Sequence, residues 1–302
     1  MDEFQPYIHY LEIGELYQRI GEFEKAAESY IKLTECPELA TLGWINLAKL
    51  EQQQNHLSSA KMYYLKALED KPYSYEIMYN YANFLVDIQE YPEAIEYYKK
   101  ALQIEPNLAL AHYNMGVSYS RLEKFEEAIG AYSKSLAMNP DDFACHFDLG
   151  VLYYETNRIK DAIVHFQKAI ELDPDSSKCY EYAAQCFLKN TQVDIAISLY
   201  AKAIMLNPDD PIIYYKLGDL YLTIGDSEKA LEYFNDALSF NSVDALLIYK
   251  KACSFASLGK KEEALKELSI AIKINDIIKD LALYEKSFAE MVDNPEFKKL
   301  FE

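Results

Sequence analysis

Three sets of residues have types and spacings that could do chemistry. His112 and His146 stand 34 residues apart, Cys179 and Cys186 seven apart, and paired carboxylates occur at Asp141-Asp142 and Asp209-Asp210. Two imidazoles could share a zinc ion, but no third ligand stands at a useful spacing. The five cysteines (Cys36, Cys145, Cys179, Cys186 and Cys253) follow neither a disulfide framework nor a metal-ligand spacing. Buried thiols in a reducing compartment explain them best, a redox or metal role less well. The aspartate pairs sit where chain turns are expected, and helix capping accounts for them. There is no glycine-rich phosphate loop, nucleophile elbow or Cys/His dyad. The expectation is a protein that is not an enzyme, with no metal and no cofactor.

The elements that carry these residues follow from a period of 34. Alanine occupies positions 26, 60, 94, 128, 162, 196, 230 and 264 without exception. A second column is small (Gly14, Ala48, Ala82, Gly116, Gly150, Ala184, Gly218, Ala252), and a third is large and mostly aromatic (Tyr30, Tyr64, Tyr98, Tyr132, Phe166, Tyr200, Phe234, Leu268). His112 and His146 belong to a fourth column shared with Tyr10, Trp44, Met78, Tyr180, Tyr214 and Ile248, which marks their place as packed core. Within each period the apolar residues fall three, four and seven apart, the spacing of one helix face. Two such helices joined by a connection of about two residues must be antiparallel neighbours. The small column lets their backbones approach, and the aromatic column fills the space between. Pro72, Pro106, Pro140, Pro174 and Pro208 stop the second helix of five successive periods.

These residues resemble the tetratricopeptide repeat, whose bulky, Leu-Gly, Tyr, Ala, Phe, Ala pattern reads here as Tyr214, Leu217-Gly218, Tyr221, Ala230, Phe234 and Ala237. The expected organisation is a lead-in at 1–6, eight units at 7–40, 41–74, 75–108, 109–142, 143–176, 177–210, 211–244 and 245–278, and a cap at 279–302. The resemblance implies an all-α, right-handed superhelical solenoid of tandem helix-turn-helix units. Leu281, Tyr284, Phe288 and Met291 stand at helical spacing and predict one amphipathic capping helix. A short second helix then packs Phe297, Leu300 and Phe301.

In the resembled fold the first helix of each unit lines a concave groove. There Asn46, Asn80 and Asn114 fall 34 apart, followed in their column by Asp148, Tyr182, Lys216 and Lys250. A carboxamide can donate and accept at once, so three in register would hold an extended peptide backbone. The arrangement is similar to the asparagine ladder in the repeats of the O-linked N-acetylglucosamine transferase. The bland alternative is that asparagine is simply common at this helix position in the family. Tyr79, Tyr113, Phe147, Tyr215 and Tyr249 run beside it and would supply contact area, or else pack against the neighbouring unit. Lys49, Asn83, Arg121, Tyr154, Lys178, Gln185 and Lys189 complete the expected lining. The lysine, asparagine and arginine set by which co-chaperone members grip a C-terminal carboxylate is incomplete in every three consecutive units.

The expected partner is therefore a protein or peptide in extended conformation. With 49 acidic and 30 basic residues, a net charge of −19 argues against nucleic acid and anionic membranes. No apolar run reaches a bilayer's width and the N-terminus has no signal-peptide pattern, so a cytoplasmic location is expected. Two other readings stand beside the scaffold: a recruiting arm of a larger enzyme such as a glycosyltransferase, and a homo-oligomer built end to end or groove to end. The 48 groove positions hold seven basic and eight acidic residues, and the last three units sum to +2. An acidic stretch of the partner is expected at that end.

Overall fold

The computed structural model describes residues 5–301. It falls into two compact units, Met1–Cys145 and His146–Glu302. The first holds four helix pairs, α1 (Gln5–Ile20) with α2 (Phe23–Thr34), α3 (Ala40–Gln53) with α4 (Leu57–Asp70), α5 (Tyr75–Asp87) with α6 (Tyr91–Ile104), and α7 (Ala109–Arg121) with α8 (Phe125–Met138). The division falls inside α9 (Phe143–Glu155), which pairs with α10 (Ile159–Leu172). Then come α11 (Ser177–Lys189) with α12 (Val193–Leu206), α13 (Pro211–Thr223) with α14 (Ser227–Phe240), and α15 (Ala245–Ser257) with α16 (Lys261–Ile274). The described residues are tandem helix-turn-helix pairs without a strand.

Each pair closes the same way. The residue that turns the chain has a positive φ, and it recurs every 34 residues: Gly21, Asn55, Gln89, Glu123, Asn157, Thr191, Gly225 and Gly259. The next N–H donates to a carbonyl five residues back, as from His56 to Glu51 at 2.8 Å and Arg158 to Tyr153 at 2.7 Å, which satisfies the helix end. Close packing of each pair then depends on the small column. A Cβ added to Gly116 would lie 2.7 Å from the Tyr132 ring, and one added to Gly150 or Gly218 would lie 2.9 Å from Phe166 or Phe234.

Second helices end where proline forces the preceding residue out of helical backbone. Lys71, Glu105, Asn139, Asp173 and Asn207, each before a proline, have ψ between 78° and 94°. Asn241 and Asn275 adopt the same extended backbone without proline. Their side chains accept from the N–H two residues on, 3.2 Å to Val243 and 3.1 Å to Ile277, a local turn that Glu105 and Asp173 make as well beside their prolines.

The C-terminal segment corrects one expectation. Instead of a single capping helix there are α17 (Ile277–Tyr284), a 3₁₀ turn at Lys286–Met291 and α18 (Pro295–Lys299). The break lies at Glu285, where the backbone is extended and the side-chain carboxylate caps the turn by accepting from the Ser287 N–H. Ile278, Ala282, Phe288, Met291 and Phe297 are buried against α15 and α16, while Tyr284 is 88% exposed. Spacing alone had put Leu281 and Tyr284 on the packed face; the break rotates them off it.

Candidate functional site

The first helix of each pair carries the expected binding residues, and their side chains are less uniform than the 34-residue column suggests. In the first unit the three asparagines have three different environments. Asn46 donates Nδ2 to the Leu42 carbonyl of its own helix at 2.9 Å, leaving Oδ1. Asn114 donates Nδ2 to Asn83 Oδ1 at 2.9 Å and to Tyr79 Oη at 3.3 Å, so it ties α7 to α5. The same Asn83 oxygen accepts from the buried Tyr98 hydroxyl at 2.7 Å. Asn80 is half-buried and makes no side-chain hydrogen bond within the described residues.

A general rule underlies the network: polar side chains on successive first helices meet at separations of 31 and 35 residues, one period minus three and plus one. Gln18 donates to Gln53 at 2.8 Å and Gln52 to Asp87 at 2.6 Å. In the second unit the Tyr154 hydroxyl donates to Gln185 at 3.3 Å, Lys216 to Glu181 at 2.6 Å and Lys250 to Asp219 at 2.5 Å. Reading the columns only at 34 misses this bonding, although the signal is present as donor and acceptor types one period apart with these offsets.

The aromatic column is shared between packing and surface. Tyr79, Tyr113, Phe147 and Tyr215 are half-buried, with ring centroids 5.7–6.3 Å from Tyr98, Tyr132, Phe166 and Phe234 on the second helix of the same pair. Tyr182, in the asparagine column, stacks on Phe166 at 5.5 Å and meets Phe147 edge-on at 5.6 Å, so there the column is used for packing. Tyr249 is only 4% exposed because the C-terminal segment covers it, with Phe288 at 6.2 Å and Glu285 accepting from its hydroxyl at 3.3 Å. Burial, then the charge of its surroundings, raises its phenol pKa.

Charge is arranged in pairs. Glu181 is 3% exposed and bonded to both Lys216 at 2.6 Å and Lys178 at 3.1 Å. Burial alone would raise its carboxyl pKa, but the two ammonium groups hold it below the ordinary value. Burial lowers the Lys250 ammonium while Asp219 raises it by more, and the net shift is upward. Lys216 and Lys250 are thus neutralised by the preceding pair. Lys189 sits 3.8 Å above the Tyr154 ring, and a cavity of about 380 Å³ collects it with Gln185, Tyr215, Lys216 and Asp219. Lys49 and Arg121 stand exposed in the first unit.

The residues considered for chemistry fall elsewhere. Asp142 and Asp210 cap the helices that follow them, accepting from the N–H of Cys145 and Ile212 at 3.0 Å. All five cysteines are buried, and burial pushes the Cys186 and Cys253 thiols up to about 12. His146 is hydrogen-bonded through Nδ1 to Nδ1 of His165 at 2.9 Å, a partner that periodicity did not single out. Among the described residues no group of three or more His, Cys, Asp or Glu could hold a metal, and no helix is long and apolar enough to cross a membrane.

With this geometry established, comparison with known proteins places the chain. A family model described as "TPR repeat" matches residues 82–123 and 187–225. Two described as "Tetratricopeptide repeat" match 113–177 and, separately, 10–35, 43–72 and 212–244. No curated protein sequence matches. Among solved structures, YrrB, described as a TPR protein with an unusual peptide-binding site, is 25% identical, covers 66% of this chain and 97% of its own, and has a TM-score of 0.54. MamA is 25% identical over 59% of this chain and 95% of its own, with a TM-score of 0.53. A tetratricopeptide repeat protein from Parabacteroides merdae shares the fold at 21% identity, covering 84% of this chain and 97% of its own, with a TM-score of 0.58.

Proposed function

The chain belongs to the tetratricopeptide repeat proteins, and from that premise we propose that it is a non-catalytic scaffold holding an extended segment of a partner protein against the first helices of its units. The observation that carries this reading is Asn80. Its carboxamide is half-buried yet makes no side-chain hydrogen bond among the described residues, beside Tyr79, on the helix face that the Tyr79–Asn114–Asn83 network holds rigid. A half-desolvated donor and acceptor suits a peptide backbone, which offers both a C=O and an N–H. Asn46 Oδ1 adds an acceptor. Asn114 contributes by fixing Tyr79 rather than by reaching the peptide. In the second unit Tyr215, Gln185 and Lys189 line the cavity that would take a side chain, with Lys189 supplying the attraction for an acidic residue. That YrrB has a peptide-binding site is in keeping with this reading.

Asn80→Ala is the cleanest test, because it removes no side-chain hydrogen bond among the described residues. Peptides selected from a random display library on the wild type should bind the variant about 3- to 10-fold more weakly, the worth of one or two hydrogen bonds. Thermal unfolding should be unchanged. Unaltered affinity for every selected peptide would remove the asparagine from the site.

A further inference from the structure

A second concave site lies in the first unit, away from the asparagines. It is a cavity of about 520 Å³ between α6 and α8, floored by α7. His112, two residues before Asn114, lines it from the side of α7 turned about 200° from the carboxamide network.

Three independent features mark it as built for a ligand. His112 is 8% exposed and its Nδ1 is the one buried side-chain nitrogen or oxygen among the described residues that lacks a hydrogen-bond partner. Such atoms are rare in folded proteins because burying one without a partner is unfavourable. Burial and then the nearby Lys134 lower the imidazole pKa, so the ring is neutral at physiological pH and Nδ1 takes whichever role its partner requires. Secondly, Gly130 interrupts the middle of α8 on the cavity wall, where other units carry Met62, Glu96, Val164, Ser198, Glu232 or Lys266. A Cβ there would meet nothing within 4 Å, so packing within the chain does not require the glycine, and glycine weakens a helix interior. Its effect is to let another backbone come close. Thirdly, in a chain of net charge −19 this cavity is rimmed by two lysines, Lys99 and Lys134, against one carboxylate, Glu127.

We propose that this cavity is a second docking site, which takes an acidic–apolar segment of a partner protein. An apolar side chain of the segment packs on Leu102, Met115 and Ala131. The adjoining Asp or Glu carboxylate lies between Lys99 and Lys134. The segment's backbone passes over Gly130 and, with a turn of the His112 imidazole that uncovers Nδ1, gives that atom its missing hydrogen bond. The charge of the rim selects an acidic segment, and the opening at Gly130 selects a main chain rather than a bulky side chain.

The test uses the full chain and the peptide acetyl-Asp-Leu-Asp-Leu-amide, followed by NMR of the histidine side chains. Expected is a saturable shift of the His112 imidazole signals, absent with acetyl-Lys-Leu-Lys-Leu-amide. Lys99→Glu with Lys134→Glu should weaken it at least about tenfold. Gly130→Leu should abolish the shift by filling the cavity, while thermal unfolding stays the same or rises because the helix loses its glycine. Asn80→Ala should leave the shift intact, which separates this site from the asparagine groove. No saturation at about 5 mM peptide, an equal response to the lysine peptide, or binding that survives in Gly130→Leu would each overturn the proposal.

Discussion

Acid should loosen the second unit through one pair of side chains, His146 and His165. Their Nδ1 atoms are 2.9 Å apart and their rings tilt at 5.1 Å, with Tyr153 lying 5.4 Å from His165. The bond needs a proton on one Nδ1 and a lone pair on the other. An imidazolium can still donate to a neutral partner, so the first proton is tolerated; the second leaves two N–H groups facing each other. Burial and then the charge of His146 push the His165 pKa down to about 4, against a smaller opposing effect of Asp161, itself paired with Arg158 at 3.0 Å. The folded value lies below the unfolded 6.5, so the folded state binds fewer protons across this window. Stability is therefore complete above about pH 6.5 and is lost as pH falls toward 4. At about 1.4 kcal/mol per factor of ten the ceiling is about 3.4 kcal/mol; solvent reaches part of the ring and screens it, leaving about 1–2 kcal/mol. A unit of this size should lose about 3–6 °C in melting temperature from this pair between pH 7 and pH 4.5.

Carboxylates titrate over part of the same range, so the control is His165→Tyr, which reproduces the Tyr221–Tyr233 stack the chain already uses at 5.5 Å. The variant should melt with a shallower pH dependence than the wild type. If the two pH profiles run parallel from 7 to 4.5, the histidine pair is not the cause.

Two further outcomes follow from packing and charge. Gly116→Ala places a Cβ 2.7 Å from the Tyr132 ring and should destabilise by about 1–3 kcal/mol in urea unfolding; a loss below about 0.5 kcal/mol would mean that the ring moves aside freely. Glu181→Ala strands Lys216 beside a buried space and should destabilise by about 3 kcal/mol, with Lys216→Met in the same background restoring part of it; strict additivity in that double-mutant cycle would show that the pair is not coupled.

The fold was legible because burial imposes one pattern eight times. The small and aromatic columns meet as close Gly116–Tyr132 and Gly150–Phe166 contacts, and the residue before each proline leaves the helix as its neighbour compels. Departures arose where repetition stops constraining the chain. Glu285 breaks the expected capping helix, and Phe288, Met291 and Phe297 beyond it fold back onto the cluster of α15 and α16. At the groove, a column at 34 identifies a helix face but not the hydrogen bonds made on it. Asn46, Asn80 and Asn114 share a position and differ because, among the described residues, Asn46 bonds to Leu42, Asn80 to none, and Asn114 to Asn83 and Tyr79. Periodicity gives His165 no role, because its column holds tyrosine at 97 and 233, alanine at 131 and leucine at 199, and only its neighbour His146 supplies one.

The turn inside each helix pair has a consequence for how far this protein lies from its own limit. Five of the eight left-handed turn residues are not glycine, and Thr191 is β-branched. A side chain in that backbone costs about 1 kcal/mol, and all five are at the surface, where no packing offsets it. The five non-glycine turns thus hold a few kcal/mol of headroom, in places that touch neither the carboxamides nor the cavity behind them. A chain held just above the stability its work requires tolerates such turns. Heat resistance is available here without altering Asn80, His112 or any other residue of the two proposed sites.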